Sequence, residues 1–367
     1  MKIKLNMLIF FMTISSLILH GQTNDIWTSF RNKDKTLIGY KDKNGVVKIE
    51  PKFTGITCAS KFNNIIAVSE EIDGKWSSYY LTKSGKIFGK DSLHIFDNGF
   101  DCESEGFIRF RDSKTDKVGL FDRTGKVVIP AIYDDMTRVT NGMIIGLKGA
   151  EKKYWDTDKH SGCNHFSWTG GQEVLIDTLN NILIEYFKYD NSLNFFTLEK
   201  TKTPHSDTTR KSFIATDGSY YSFIDFEKEF RQWITQILSD DLTLENLINI
   251  SYDTITWESH DGWGKTNKEK LITDNFTILK NELLEILQPK TDYLISRDGL
   301  NPYMFEGAEF EKYYNNCGES KYWIYPTMSI NISHGSKINF SQNHYEFLRT
   351  DSGYKLICLT IRNKKMK

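Results

Sequence analysis

The chain has 367 residues, 39% of them hydrophobic and 14% aromatic, with only six prolines, which excludes an intrinsically disordered or collagen-like polymer. Its 47 basic and 48 acidic residues nearly cancel, leaving no field to draw nucleic acid or an anionic membrane surface. Five cysteines are too few and too scattered for a disulfide scaffold.

Residues 1–21 open with Lys2 and Lys4, continue as an apolar run from Leu8 to Leu19 and end at Gly21. This pattern predicts a secretory signal peptide cleaved at Gly21-Gln22. The run is short for a membrane span of roughly 20 residues and no comparable run follows, so no span is expected after cleavage. The first cysteine is Cys58, far from the cleavage point, which argues against a lipoprotein anchor. The expected location is secreted or periplasmic. The mature chain keeps 45 basic and 48 acidic residues and is long enough for two cores.

From residue 22 to about 221 the chain repeats. Gly45, Gly85 and Gly125 stand 40 residues apart and close Asp42-Lys43-Asn44-Gly45, Thr82-Lys83-Ser84-Gly85 and Asp122-Arg123-Thr124-Gly125. Val47, Ile87 and Val127 follow two positions later, and Tyr40, Tyr80 and Leu120 precede each turn. Apolar residues two apart on both sides of a Gly turn predict β-hairpins with one buried face. The glycine supplies positive φ, and the Asp or Thr three residues before it can bond the turn backbone. Each hairpin is joined by a further strand signal, at 64–68, 106–110 and 142–147. Asn180 occupies the Gly slot of a fourth copy and Gly218 that of a partial fifth. The wider spacing between Gly125 and Asn180 marks an insertion within Ala150–Gln172, read as a solvated loop rich in aromatics. A fixed period of about 40 residues is the signature of a repeat array.

The copies resemble the WG-repeat family of bacterial proteins over about residues 26–220. The matching stretches are Asp73-Gly74-Lys75-Trp76, the run from Asp116 to Pro130 continuing to Tyr133-Asp134, and Leu37-Ile38-Gly39-Tyr40 with Pro51-Lys52-Phe53. The name-giving Trp-Gly pair is nowhere intact: Ile38 and Val118 precede Gly39 and Gly119, and Ser77 follows Trp76. The resemblance implies an all-β array, propeller-like or an open solenoid, with binding and envelope roles and no catalytic residues.

Residues 222–367 read as a smaller α+β domain. Phe223, Phe226, Phe230, Trp233, Ile234, Ile237 and Leu238 predict one amphipathic helix. Leu242 to Ile250 predict a second, and Phe276 to Leu287 a third, capped by Asp274 and stopped before Pro289. Strands at 345–349 and 354–359 flank an Asp351-Ser352-Gly353 turn. The order is distantly similar to NTF2-like cone folds.

Several groupings carry chemistry-bearing side chains. The insertion holds Asp156, Asp158, His160, Cys163 and His165 among Tyr154, Trp155, Phe166 and Trp168. Its His-x2-Cys-x-His spacing fits no zinc pattern, so no metal or cofactor is assigned. Insertions of repeat proteins project from one face, which makes Trp155, His160, His165 and Trp168 the candidate contact residues. Glu258, His260, Asp261 and Trp263 cluster without a nucleophile, and Asp261-Gly262 reads as a turn. Tyr322, Trp323, Tyr325 and Pro326 read as a buried strand, the alternative being a carbohydrate or peptide groove. Cys317 and Cys358 are a candidate disulfide, the alternative being buried thiols. With no catalytic residue identified, the expected role is non-enzymatic recognition of an envelope protein or a glycan by the repeat surface. The alternative is a C-terminal ligand-binding cone, or a hydrolase, that the repeats target.

Overall fold

The computed structural model describes residues 25–96, 99–155, 165–188, 190–239, 241–259, 262–335 and 340–366. The expected signal peptide, residues 1–21, therefore lies outside the described residues. The N-terminal part is a series of antiparallel sheets: one of seven strands within residues 27–88, three strands at 107–133, four at 135–184 and three at 193–225.

One hairpin geometry recurs through these sheets. The backbone N–H of Gly45, Gly85, Gly125, Asn180 and Gly218 donates to the carbonyl three residues earlier, at 2.9–3.1 Å. All five residues have positive φ, between 67° and 84°. Asp42 Oδ1 accepts from the N–H groups of Asn44 and Val46 at 2.9 and 3.0 Å, and Asp122 and Asp177 do the same at their turns. The strand pairing recurs too: Lys41 faces Val47, Leu81 faces Ile87, Phe121 faces Val127 and Ile176 faces Ile182. The last unit departs in topology. Its leading strand, Leu193–Thr201, pairs with the second arm of the hairpin, Tyr220–Asp225, and not with the first.

Gly39 and Gly119 have a different task. Each sits where the ladder shifts register, between Ile38 and Tyr40 or between Val118 and Leu120. A Cβ at Gly39 would meet Ile49 O at 2.5 Å, and one at Gly119 would meet Ile129 O at 2.7 Å. The glycine of the Trp-Gly slot lets a bulged partner strand press against the backbone. Burial is shared between successive units: one cluster joins Tyr80, Ile108 and Phe121, and the next joins Leu120, Tyr133, Ile144 and Ile176. Each such side chain contributes roughly 1.5–3 kcal/mol.

The expected loop at Ala150–Gln172 is instead mostly strand. Met143–Tyr154 and Phe166–Asp177 pair continuously out to Tyr154 opposite Phe166, with only 156–164 outside the described residues. Cross-strand aromatic pairs and Lys152 over the Phe166 ring at 4.4 Å hold the extension.

In the C-terminal part the first helix, α1, is Phe226–Ser239, and it starts later than its apolar pattern suggests. Phe223 belongs to the strand Tyr220–Asp225, where alternation also buries it. Asp225 caps α1 by accepting from the N–H groups of Glu227 and Lys228 at 3.0 and 3.1 Å. A short α2, Leu244–Asn249, is capped by Thr243. The third helix, α3, is Lys268–Leu284, capped by Asn267. Asp274 thus sits mid-helix, paired with Lys270 at 2.6 Å. The polar first turn of α3 hid its start.

Six strands complete this part, in spatial order Gly262–Asn267, Ser251–Ser259, Gly353–Thr360, Phe340–Thr350, Thr327–Gly335 and Tyr293–Asp298. All neighbours are antiparallel except Ser251–Ser259 with Gly353–Thr360. Phe226, Phe230, Ile234 and Leu238, one face of α1, meet Tyr345, Phe347 and Leu356 of the sheet in a shared core. Tyr322, Trp323, Tyr325 and Pro326 lie outside any strand, in the segment before Thr327.

That segment ties the two parts together. Cys317 forms its disulfide with Cys102, not with Cys358, which is a buried free thiol on strand Gly353–Thr360. Sequence proximity misled here: the segment at 299–326 packs Leu300, Phe305, Phe310 and Tyr313 on Leu348, Ile357 and Cys358 of its own sheet, but its stretch around Cys317 reaches the repeats. Ser60 and Lys61 donate their N–H groups to Asn316 O at 2.8 and 3.0 Å. Asp101, its side chain wholly buried, accepts from Arg109 Nη2 at 2.6 Å and Arg138 Nε at 2.8 Å. Arg138 also pairs with Glu319 across the seam. Burial would raise the Asp101 pKa, but the two guanidiniums hold it far below the carboxylate range.

Candidate functional site

Along α3 the buried positions are Leu271, Ile272, Asn275, Leu279, Glu282 and Leu283. The carboxylate among them exposes none of its surface, and a buried charge is costly unless paired and hydrogen-bonded. The sheet supplies part of the pairing. Across strands Thr327–Gly335 and Phe340–Thr350, Ile330 opposes Tyr345, Ile332 opposes Asn343 and His334 opposes Ser341. Opposed residues, and those two apart, share a face, so His334, Asn343 and Tyr345 stand on one surface together.

Asn343 Nδ2 donates to Glu282 Oε2 at 2.5 Å, and His334 Nε2 lies 3.2 Å from the same oxygen. His334 Nδ1 is 3.7 Å from Glu285 Oε2. The C-terminal tail adds Asn363, whose Nδ2 donates to Glu282 Oε1 at 3.2 Å, and Lys364, whose Nζ is 2.5 Å from that oxygen. Burial pushes the Glu282 carboxyl up, but Lys364, Asn363 and Asn343 together hold it below its ordinary value. Glu282, Glu285 and His334 each offer a ligand atom within 4.8 Å of the others.

Tyr345 is fully buried, and its hydroxyl has no hydrogen-bond partner among the described residues. Burial, then the charges of Glu282 and Glu285, push its pKa well above the usual phenol value. It is therefore a neutral donor without an acceptor, close to two carboxylates. Trp257, Glu258 and residues 361–366 line a cleft that shares Asn363 and Lys364 with this cluster. Arg362 Nη2 donates to Glu258 at 2.9 Å on its wall.

Sequence reasoning passed over this cluster, because its members are spread over 83 positions from Glu282 to Lys364. The available signal was Glu282, the one charged residue on the buried face of α3. Of the Glu258 grouping, Glu258 and Trp263 are cross-strand partners, while His260 and Asp261 lie outside the described residues.

The insertion residues are placed as follows. Trp155, 71% exposed, stacks on His165 with centroids 5.7 Å apart and donates from Nε1 to Ser167 Oγ at 3.0 Å. Trp168 is half-buried and donates to Asp135 Oδ2 at 3.0 Å. It pairs with Lys152, as Phe166 does with Tyr154. Strand alternation puts that set on the face opposite Trp155 and His165. The structure thus brings Trp155 and His165 together and sets Trp168 apart from them. His160 falls outside the described residues, with Asp156, Asp158 and Cys163.

No curated protein matches the chain. Residues 38–76 and 119–146 match the family model described as WG containing repeat. The first stretch ends on Trp76, and the second begins on Gly119, the glycine pressed against Ile129. Residues 38–146 of the chain therefore carry a WG-repeat domain.

Proposed function

We propose that the protein is an exported ligand-binding protein. Its C-terminal module, from about residue 222, is an NTF2-like cone that takes a small positively charged ligand in the cleft beside Glu282. The repeats of residues 22–221 form an open solenoid that targets the cone within the bacterial envelope. The observation that carries this reading is Glu282: a wholly buried carboxylate whose positive partner is a lysine of the terminal tail, at the margin of an open cleft. Lys364 is itself 42% exposed, so a ligand ammonium or cation can replace it at small cost. The order helices, hairpin, helix and mixed sheet supports the cone, and burial shared between successive units supports the solenoid.

The test is a titration of the full mature chain with 1,4-diaminobutane, read by tryptophan fluorescence, with Trp257→Phe identifying the part of the change that comes from the cleft. A saturable change that Glu282→Gln removes is expected. A flat titration in the parent overturns the reading.

A second reading keeps the repeat array as the recognition surface for a protein or glycan. It rests on the exposed Trp155–His165 stack at the far end of the Met143–Asp177 hairpin, since exposed aromatic faces are the usual platforms for such partners. Trp155→Ala would then abolish retention on envelope glycans without changing the melting temperature.

A further inference from the structure

We propose that Glu282, Glu285 and His334 bind one divalent transition-metal ion, with Lys364 as the competitor already built into the chain. The inference deepens the proposed cation-binding role of this cleft and rests on it.

One carboxylate from the last turn of α3, a second from Glu285 just after it and one imidazole from the facing strand form a mixed oxygen and nitrogen donor set. Such a set suits zinc and its neighbours, whereas calcium takes six or more oxygens. Ligands about 2.0–2.2 Å from a tetrahedral ion stand roughly 3.3–3.6 Å from one another. His334 Nε2 lies 3.2 Å from Glu282 Oε2, close to that spacing, while the other ring nitrogen, Nδ1, is the one 3.7 Å from Glu285 Oε2. One ion takes one of the two nitrogens; a ligand atom from each of the three residues lies within 4.8 Å of the others, so Glu285 closes the remaining distance on binding.

Asn343 Nδ2 carries two hydrogens, and its directed bonds go to Glu282 Oε2 at 2.5 Å and Asn363 Oδ1 at 2.9 Å. With both hydrogens used there, this amide does not hold the His334 imidazole, whose Nε2 is 3.1 Å away. Tyr345 is the independent sign of a ligand. Its buried hydroxyl, without a partner among the described residues, belongs to the strand face that carries His334 and Asn343 and feels the charges of Glu282 and Glu285; a water or hydroxide on the ion would give that donor its acceptor.

Lys364 supplies one positive charge where the two carboxylates carry two negative ones. It reaches Glu282 from a tail beyond the last strand, and the tail's other ties include Arg362 to Glu258 and Arg362 N–H to Asn343 Oδ1. An ion of charge two that replaces it balances the site and returns the ammonium to water.

The experiment uses the full mature chain, stripped with chelator and titrated with ZnCl2 alone by calorimetry. One zinc per chain is expected, weakened at least tenfold by Glu285→Gln and by His334→Gln, and tightened about tenfold by Lys364→Ala. The Lys364→Ala gain is the readout that a merely structural Glu282 would not give. Because Glu282→Gln risks the fold, the more exposed Glu285 carries the loss arm. No uptake by either the parent or Lys364→Ala, or uptake that both loss variants leave unchanged, overturns the inference. If 1,4-diaminobutane still binds in that event, the cleft reading survives and only the metal falls. If neither binds, both fall.

Discussion

Cys102 and Cys317 stand 215 residues apart in sequence and are joined by a disulfide, their Cα atoms 6.1 Å apart. Cys102 follows Asp101, whose buried carboxylate holds Arg109 and Arg138, and Arg138 reaches back to Glu319 two residues beyond Cys317. The covalent bridge and the ion network thus close the same seam.

Removing the bridge should cost stability through the unfolded chain. Closing a loop of this length is worth about 5 kcal/mol in chain entropy. Urea unfolding of the Cys102→Ser/Cys317→Ser protein is expected to lose about 3–5 kcal/mol relative to the oxidised parent, while dithiothreitol brings the parent to the same midpoint and leaves the variant unchanged.

Asp101→Asn leaves two guanidiniums at the seam without their shared carboxylate. Breaking a buried pair on one side costs about 3–5 kcal/mol, and equilibrium unfolding should show a loss of that size. The pH dependence has a definite sign. The folded pKa of Asp101 is depressed, so its contribution is fully present above the unfolded value of about 3.9 and declines as pH falls below it. Acid titration of stability should steepen below about pH 4 in the parent and flatten in Asp101→Asn.

Gly119 and Gly125 separate two reasons for a glycine in one repeat. Gly119→Ala forces a methyl group to within 2.7 Å of Ile129 O, a backbone atom that cannot step aside. A loss of about 3 kcal/mol is expected. Gly45→Ala, the equivalent of Gly125 in the first repeat, meets nothing within 4 Å but must hold φ at +82°, at about 1–2 kcal/mol. Thermal unfolding should rank Gly119→Ala well below Gly45→Ala.

Asn267→Ala removes the oxygen that accepts from the N–H groups of Glu269 and Lys270 at the start of α3. A loss of about 1 kcal/mol is expected. Asp274→Ala deletes only an exposed i,i+4 pair with Lys270 and should stay within about 0.5 kcal/mol. Reversed magnitudes would return the helix start to Asp274.

The repeat turns were legible because they are local: four consecutive residues specify Gly45 or Gly125, and period two marks the flanking strands. The C-terminal strands around Asp351–Gly353 were legible for the same reason. The start of α3 was not, since Lys268, Glu269 and Lys270 carry no apolar signal and Asn267 looks like any polar residue. Phe223 misled because a residue buried by strand alternation also falls in step with Phe226 and Phe230. The Glu282 cluster and the Cys102–Cys317 bridge were beyond reach, because both depend on contacts between segments far apart in the chain. A single charged residue on the buried face of α3 was the one available clue to the former.

The strand Tyr220–Asp225 passes into α1 at Phe226 with no residue between them. A flexible connection would let the two halves of the molecule tumble separately, fixing only how far apart they stray. Here the junction is stiff, and the crossing at Cys317 gives it a second point of attachment. Two anchorages lock an orientation as well as a distance, so a torque applied to the N-terminal sheets is delivered to α1 without slack.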